Sequence, residues 1–125
     1  EIPDCLLGFD MGYIGEPAVS ALDMVKHLWP AVQGIRIMGS GALGLAYAAC
    51  GRMDIYFHHR LYPWDIASGL LLVQEAGGSV VDRHGMPATL DSQSVIASSP
   101  LQTGRALSWQ NREPAYRNKS NPARV

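Results

Sequence analysis

Short apolar runs of strand length alternate along this chain with helix-length stretches, and that alternation narrows the fold more than any other feature. Residues 6–13 read as a strand that ends at Gly12. After Pro17, which suits a first helical turn, Val19, Leu22, Val25 and Leu28 recur near helical spacing until Trp29-Pro30 stops the run. Residues 35–38 form a second expected strand. Gly39-Ser40-Gly41 then turns the chain into a helix over 42–50, closed by Gly51, and residues 53–57 give a third strand. A helix over 64–76 follows Pro63, and Gly77-Gly78 ends it as a left-handed cap. Strands at 79–81 and 94–97 and a short helix at 101–109 complete the reading. The pattern predicts an α/β fold, with a mixed sheet between helices.

Composition agrees with one folded domain and excludes several functions. The chain has 125 residues, 47% hydrophobic and 17% charged, so disordered and coiled-coil readings fail. Its net charge of −1 draws it to neither nucleic acid nor an anionic membrane. The charge is uneven: residues 1–110 carry six basic and ten acidic side chains, and 111–125 carry four basic and one acidic. The expected domain is therefore 1–110, with 111–125 a polar, mobile tail. Cys5 and Cys50 form no C-x-x-C pair, which argues for reduced thiols and a cytoplasmic setting. No apolar run reaches the roughly 18 residues of a spanning helix.

Two segments carry chemistry. Gly39-Ser40-Gly41-Ala42-Leu43-Gly44 matches G-x-G-x-x-G between a strand and a helix, the setting of a dinucleotide fingerprint. The acid that should end the next strand is missing, because Phe57, His58 and His59 stand there and Asp54 comes too early. Nicotinamide binding is therefore not expected. The turn can still offer backbone N–H groups to an anion or to sugar hydroxyls; taken alone, it favours a tight turn that needs glycine for its angles. In Pro63-Trp64-Asp65-Ile66-Ala67-Ser68-Gly69, Asp65 stands where a helix begins. Alone it favours a cap that accepts from N–H groups two or three residues on. It is also a hard oxygen donor suited to a divalent cation.

Read together, Ile35-Arg36-Ile37-Met38-Gly39-Ser40, Ala49-Cys50-Gly51-Arg52-Met53-Asp54, the W-D-x-A-x-G block at Trp64–Gly69 and Glu75-Ala76-Gly77-Gly78 resemble the C-terminal half of the inositol monophosphatase family. The resemblance spans roughly residues 6–98. It implies a layered αβαβα sandwich of which this chain is the second α/β unit, and Mg²⁺-dependent hydrolysis of a small phosphate monoester by water. It further implies Asp65 as a metal ligand, the Gly39-Ser40-Gly41 turn as a wall of the substrate pocket, and a homodimer.

Two departures qualify what the resemblance implies. The family's Glu-Glu pair and D-P-x-D-G-T motif, which supply its other metal carboxylates and its catalytic threonine, are absent from this sequence. The chain is therefore expected to be a C-terminal piece or a half-enzyme that needs a missing N-terminal half, and to be inactive alone. The other departure is His58, which stands where the family usually carries a substrate-binding glutamate. It becomes a candidate substrate contact, set against a surface histidine with no role, and points away from inositol phosphate toward another sugar phosphate or a nucleotide-type phosphate. The rival expectation is a non-catalytic binding or regulatory module that keeps the fold. Of the remaining groups, Cys50 is expected to be a small buried hydrophobe, Trp64 to pack beside the helix entrance, and Glu75 to brace the Gly77-Gly78 corner. Asp54 and Arg52 pair with each other or are solvated.

Overall fold

The parallel core of the sheet is built by helical crossovers, as the alternation requires. In a computed structural model, residues 4–12, 15–100 and 102 are described. The strands are β1 (Leu6–Asp10), β2 (Gly34–Ile37), β3 (Ile55–His58), β4 (Ser79–Val81) and β5 (Val95–Ser98); the helices are α1 (Glu16–Leu28), α2 (Gly41–Ala49) and α3 (Pro63–Glu75). The strand order is β2-β1-β3-β5-β4, with β1 parallel to both β2 and β3, and β5 antiparallel to both β3 and β4. The sheet is mixed, as expected.

Strand alternation sends side chains to two separate cores. Tyr56, Val80 and Ala97 pack with Leu45, Ala48, Ile66, Leu70 and Val73 of α2 and α3. Leu7, Phe9, Ile55, Phe57, Val81 and Ile96 pack with Ala21 of α1, and the rings of Phe9 and Phe57 stack at 5.5 Å. Helices thus lie on both faces of the sheet. No helix among the described residues is long and apolar enough to cross a membrane.

The helix limits follow local chemistry. Ser40 caps α2, its Oγ accepting from Leu43 N–H at 3.2 Å. Pro63 opens α3. At the other end Gly77, with φ of +84°, donates to the Gln74 carbonyl while Gly78 donates to that of Val73.

Several expectations change. In α1, Val19 and Leu22 are exposed, and Ala21 is the residue buried against the sheet. Helix α3 buries one face only (Ile66, Gly69, Leu70 and Val73) and leaves Leu71 and Leu72 exposed, although its sequence is apolar nearly all round. Cys50 is exposed, because it caps α2 beyond the last buried turn. Glu75 is exposed, and the Gly77-Gly78 corner is held by backbone bonds. Arg52 lies over the Tyr47 ring at 5.3 Å, while Asp54 accepts from Leu6 N–H and from Gln102, so the two do not pair. The expected 101–109 helix and the tail at 111–125 lie outside the described residues.

Candidate active site

Because β1 sits between β2 and β3, the chain leaves β1 toward one side and later returns to its other side. In such sheets a crevice opens outside the carboxyl ends of the strands where the direction of winding changes. Here those ends are Asp10 of β1 and His58 of β3, partners in the strand register. An open cleft of about 730 Å³ lies there, lined among others by Asp10, Gly39, Ser40, Gly41, His58, Arg60 and Asp65. All five residues expected at the site, Gly39, Ser40, Gly41, His58 and Asp65, line this one cleft.

Asp10 organises it. Its Oδ1 accepts from the N–H groups of Met38 at 3.0 Å and Gly39 at 2.6 Å, and its Oδ2 accepts from the Tyr56 hydroxyl at 2.8 Å. One buried carboxylate therefore ties β1 to the turn after β2 and to β3. Burial, then the bond to Asp10 and its charge, push the Tyr56 hydroxyl far above its ordinary pKa, so it stays a donor. Sequence reasoning missed Asp10; the available signal was a lone acid at the end of an apolar strand, which must find donors once buried.

The glycine turn has separate causes at each position. Gly39 has φ of +70°, and its own N–H faces Asp10. A Cβ on Gly41 would strike the Leu61 side chain, and one on Gly44 would enter the Tyr56 ring. The first-turn N–H groups of Gly41 and Ala42 have no intramolecular partner among the described residues and sit at the cleft.

Asp65 lies in the first turn of α3, and it caps backward. Its Oδ2 accepts from Tyr62 N–H at 3.0 Å, the backward half of a capping-box arrangement, and the expected bonds to N–H groups further on are not made. Its Oδ1 makes no hydrogen bond among the described residues. Trp64 is 75% exposed and stacks on Tyr62 at 4.9 Å, outside the core.

His58 is buried, at 7% exposure, which overturns the surface alternative. Its Nδ1 accepts from Arg60 N–H at 3.0 Å, which places the ring proton on Nε2. Burial lowers its pKa, opposed in part by the charges of Asp10 and Asp65. His59 points to the other face, its ring 5.4 Å from that of Phe57, so the pair cannot share one ion from this strand.

The inositol monophosphatase family matches residues 14–115. The chain belongs to this family. Among its relatives, the inositol-1-monophosphatase of Mesorhizobium japonicum is 41% identical over 102 residues, covering 81% of this chain and 38% of that protein. The fructose-1,6-bisphosphatase/inositol-1-monophosphatase of Thermotoga maritima is 49% identical over 77 residues, 62% of this chain and 30% of that protein. The Nus factor SuhB of Xylella fastidiosa is 49% identical over 71 residues, 57% of this chain and 26% of that protein. Among solved structures, the Thermotoga maritima IMPase superposes with a TM-score of 0.72 at 33% identity, over 89% of this chain and 42% of that one. This inositol monophosphatase-family chain thus spans well under half the length of the relatives it matches.

A divalent cation fits the donor chemistry in part. Asp65 Oδ1 is a hard, uncommitted oxygen at the cleft, and Mg²⁺ is typically held by one or two carboxylates with water and phosphate oxygens. Both oxygens of Asp10 are already engaged. Among the described residues no three His, Cys, Asp or Glu side chains gather where they could hold an ion. One ligand is what these residues offer.

Proposed function

We propose that this chain forms one wall of the active site of a Mg²⁺-dependent phosphomonoesterase. The substrate is a small hydroxylated phosphate ester, such as a sugar phosphate. Water is the nucleophile, and no side chain of this chain becomes phosphorylated. One observation carries the reading: Asp65, Gly41, Ala42 and His58 line one cleft at the carboxyl ends of β1 and β3, and among the described residues Asp65 Oδ1, the Gly41 and Ala42 N–H groups and His58 Nε2 make no hydrogen bond.

Asp65 would hold the cation through Oδ1 while Oδ2 keeps α3 capped. A divalent cation supplies Lewis-acid stabilisation of phosphoryl charge and activates water. The Gly39-Ser40-Gly41 turn would receive the oxygens of the ester's body, its amides fixed in direction by the α2 cap and by Asp10. Neutral His58 would donate from Nε2 to a substrate oxygen. The remaining metal carboxylates would come from a segment outside these 125 residues. The phosphatase names of two relatives support the reading.

The test is hydrolysis of p-nitrophenyl phosphate and a sugar-phosphate panel with Mg²⁺. It uses the chain alone and the chain fused behind the first half of the Mesorhizobium relative. No turnover alone, and Mg²⁺-dependent turnover in the fusion, are expected. A fusion that folds and binds Mg²⁺ yet hydrolyses nothing would favour the second reading, a non-catalytic module, which the Nus-factor name of the Xylella relative supports.

A further inference from the structure

Beyond Asp65 and the α2 amides, the end of β3 and the segment leaving it bring His58 and Arg60 to the cleft. Arg60 follows β3 by two residues, and its guanidinium has no hydrogen-bond or ion-pair partner among the described residues. Its stem is seated: a Cβ on Gly12 would touch the Cβ, Cγ and Cδ of Arg60 at 3.4–3.9 Å, so the side chain lies across the bare backbone that follows β1. Its main-chain N–H donates to His58 Nδ1 and so leaves the ring proton on Nε2. His58 is more than nine-tenths buried, and its Nε2 has no hydrogen bond among the described residues. Asp10, whose two oxygens accept from Met38 N–H, Gly39 N–H and the Tyr56 hydroxyl, makes no hydrogen bond to Arg60 or His58 among the described residues.

A guanidinium and an imidazole N–H on one short segment, with no acceptor spent on them, call for an anionic oxygen group. We propose that Arg60 and His58 form a second anion subsite in this cleft, so that the substrate carries a second acidic group, phosphate or carboxylate, besides the phosphoryl group at Asp65. The position of that first group rests on the phosphatase reading; the subsite itself does not.

The test therefore omits Mg²⁺. Binding of fructose 1,6-bisphosphate, 3-phosphoglycerate and fructose 6-phosphate to the purified chain is measured by calorimetry at low ionic strength in EDTA, where an exposed cation is least screened. At least one of the two doubly acidic probes should bind about tenfold or more tightly than fructose 6-phosphate, the scale of one charge-assisted contact. The preferred probe identifies the second group as phosphate or carboxylate. Arg60→Gln should abolish the advantage and Arg60→Lys should keep part of it. Arg52→Gln, which removes the same charge beyond the far end of α2, should leave it intact. The ¹⁵Nε2 resonance of His58 should move on binding. Equal affinities, no binding, or an advantage that survives Arg60→Gln overturns the subsite. Failure to hydrolyse with Mg²⁺ bears only on the phosphatase reading.

Discussion

Replacing Asp10 tests how the cleft is held open and aligned. Its carboxylate accepts from Met38 N–H, Gly39 N–H and the Tyr56 hydroxyl at 3.0, 2.6 and 2.8 Å. Hydrogen bonds to a charged acceptor contribute about 1.5–3 kcal/mol each, and a buried donor left without a partner costs about 1–3 kcal/mol. The two amides are only partly buried, so water recovers some of their loss in Asp10→Ala; the Tyr56 hydroxyl is buried and recovers none. The expected loss is about 3–5 kcal/mol, a large share of the roughly 5–15 kcal/mol that holds a domain folded. Asp10→Asn keeps an oxygen for the two amides and can donate its NH₂ to the Tyr56 oxygen, so it should cost about 1–2 kcal/mol. Tyr56→Phe, which leaves Oδ2 without its donor, should fall between them, and the double variant should show coupling. Urea unfolding followed by far-UV circular dichroism gives the energies. Amide exchange reports the turn, since Met38 and Gly39 should stay protected in Asp10→Asn. An alanine variant within about 1 kcal/mol of the parent, or an asparagine variant as damaged as alanine, would refute the reasoning.

Other outcomes follow from the same geometry. Asp65→Asn retains an oxygen for Tyr62 N–H, so its metal-free melting temperature should hold, while Mg²⁺ binding weakens and the active fusion loses at least roughly 100-fold in rate; Asp65→Ala should also lose about 1 kcal/mol of capping, visible in the melt. Gly44→Ala drives a methyl into the Tyr56 ring and should cost about 1–3 kcal/mol or more in urea unfolding. Burial, with Arg83 and His58 adding repulsion, holds His59 down to about 4 from an ordinary 6.5. Its folded value lies below its unfolded one, so stability is full above pH 6.5 and falls as pH drops toward 4, by about 3 kcal/mol in all; His59→Gln should flatten that part of the urea-against-pH curve.

Periodicity and punctuation made the elements legible to within a few residues, because strand length, Pro63 and Gly77 each act locally. The family resemblance pointed to Asp65 and His58, and both line the one cleft. What lies between them was not legible. The Asp10–Tyr56 bond joins residues far apart in sequence, and no local signal pairs an acid on β1 with a phenol on β3. The direction in which Asp65 caps also escaped, since the same carboxylate can serve N–H groups ahead or behind. The exposure of Leu71 and Leu72 was hidden because hydrophobicity alone does not say which face of α3 meets the sheet.

The placement of β1 has a consequence for how the chain acquires its structure. It is the earliest of the described strands along the sequence, yet it pairs with residues 34–37 on one side and 55–58 on the other. During synthesis its backbone bonds on the second side must wait until β3 has emerged. Contacts so distant in sequence are slow to close, and an unpaired apolar strand is open to mispairing meanwhile. Gly8 and Asp10 interrupt the apolar run of Leu6, Leu7 and Phe9 at alternate positions, and such interruptions discourage self-association of a waiting strand. The carboxylate that aligns the cleft in the folded chain is thus also the one charge on this strand, at the position where a charge opposes pairing with another copy.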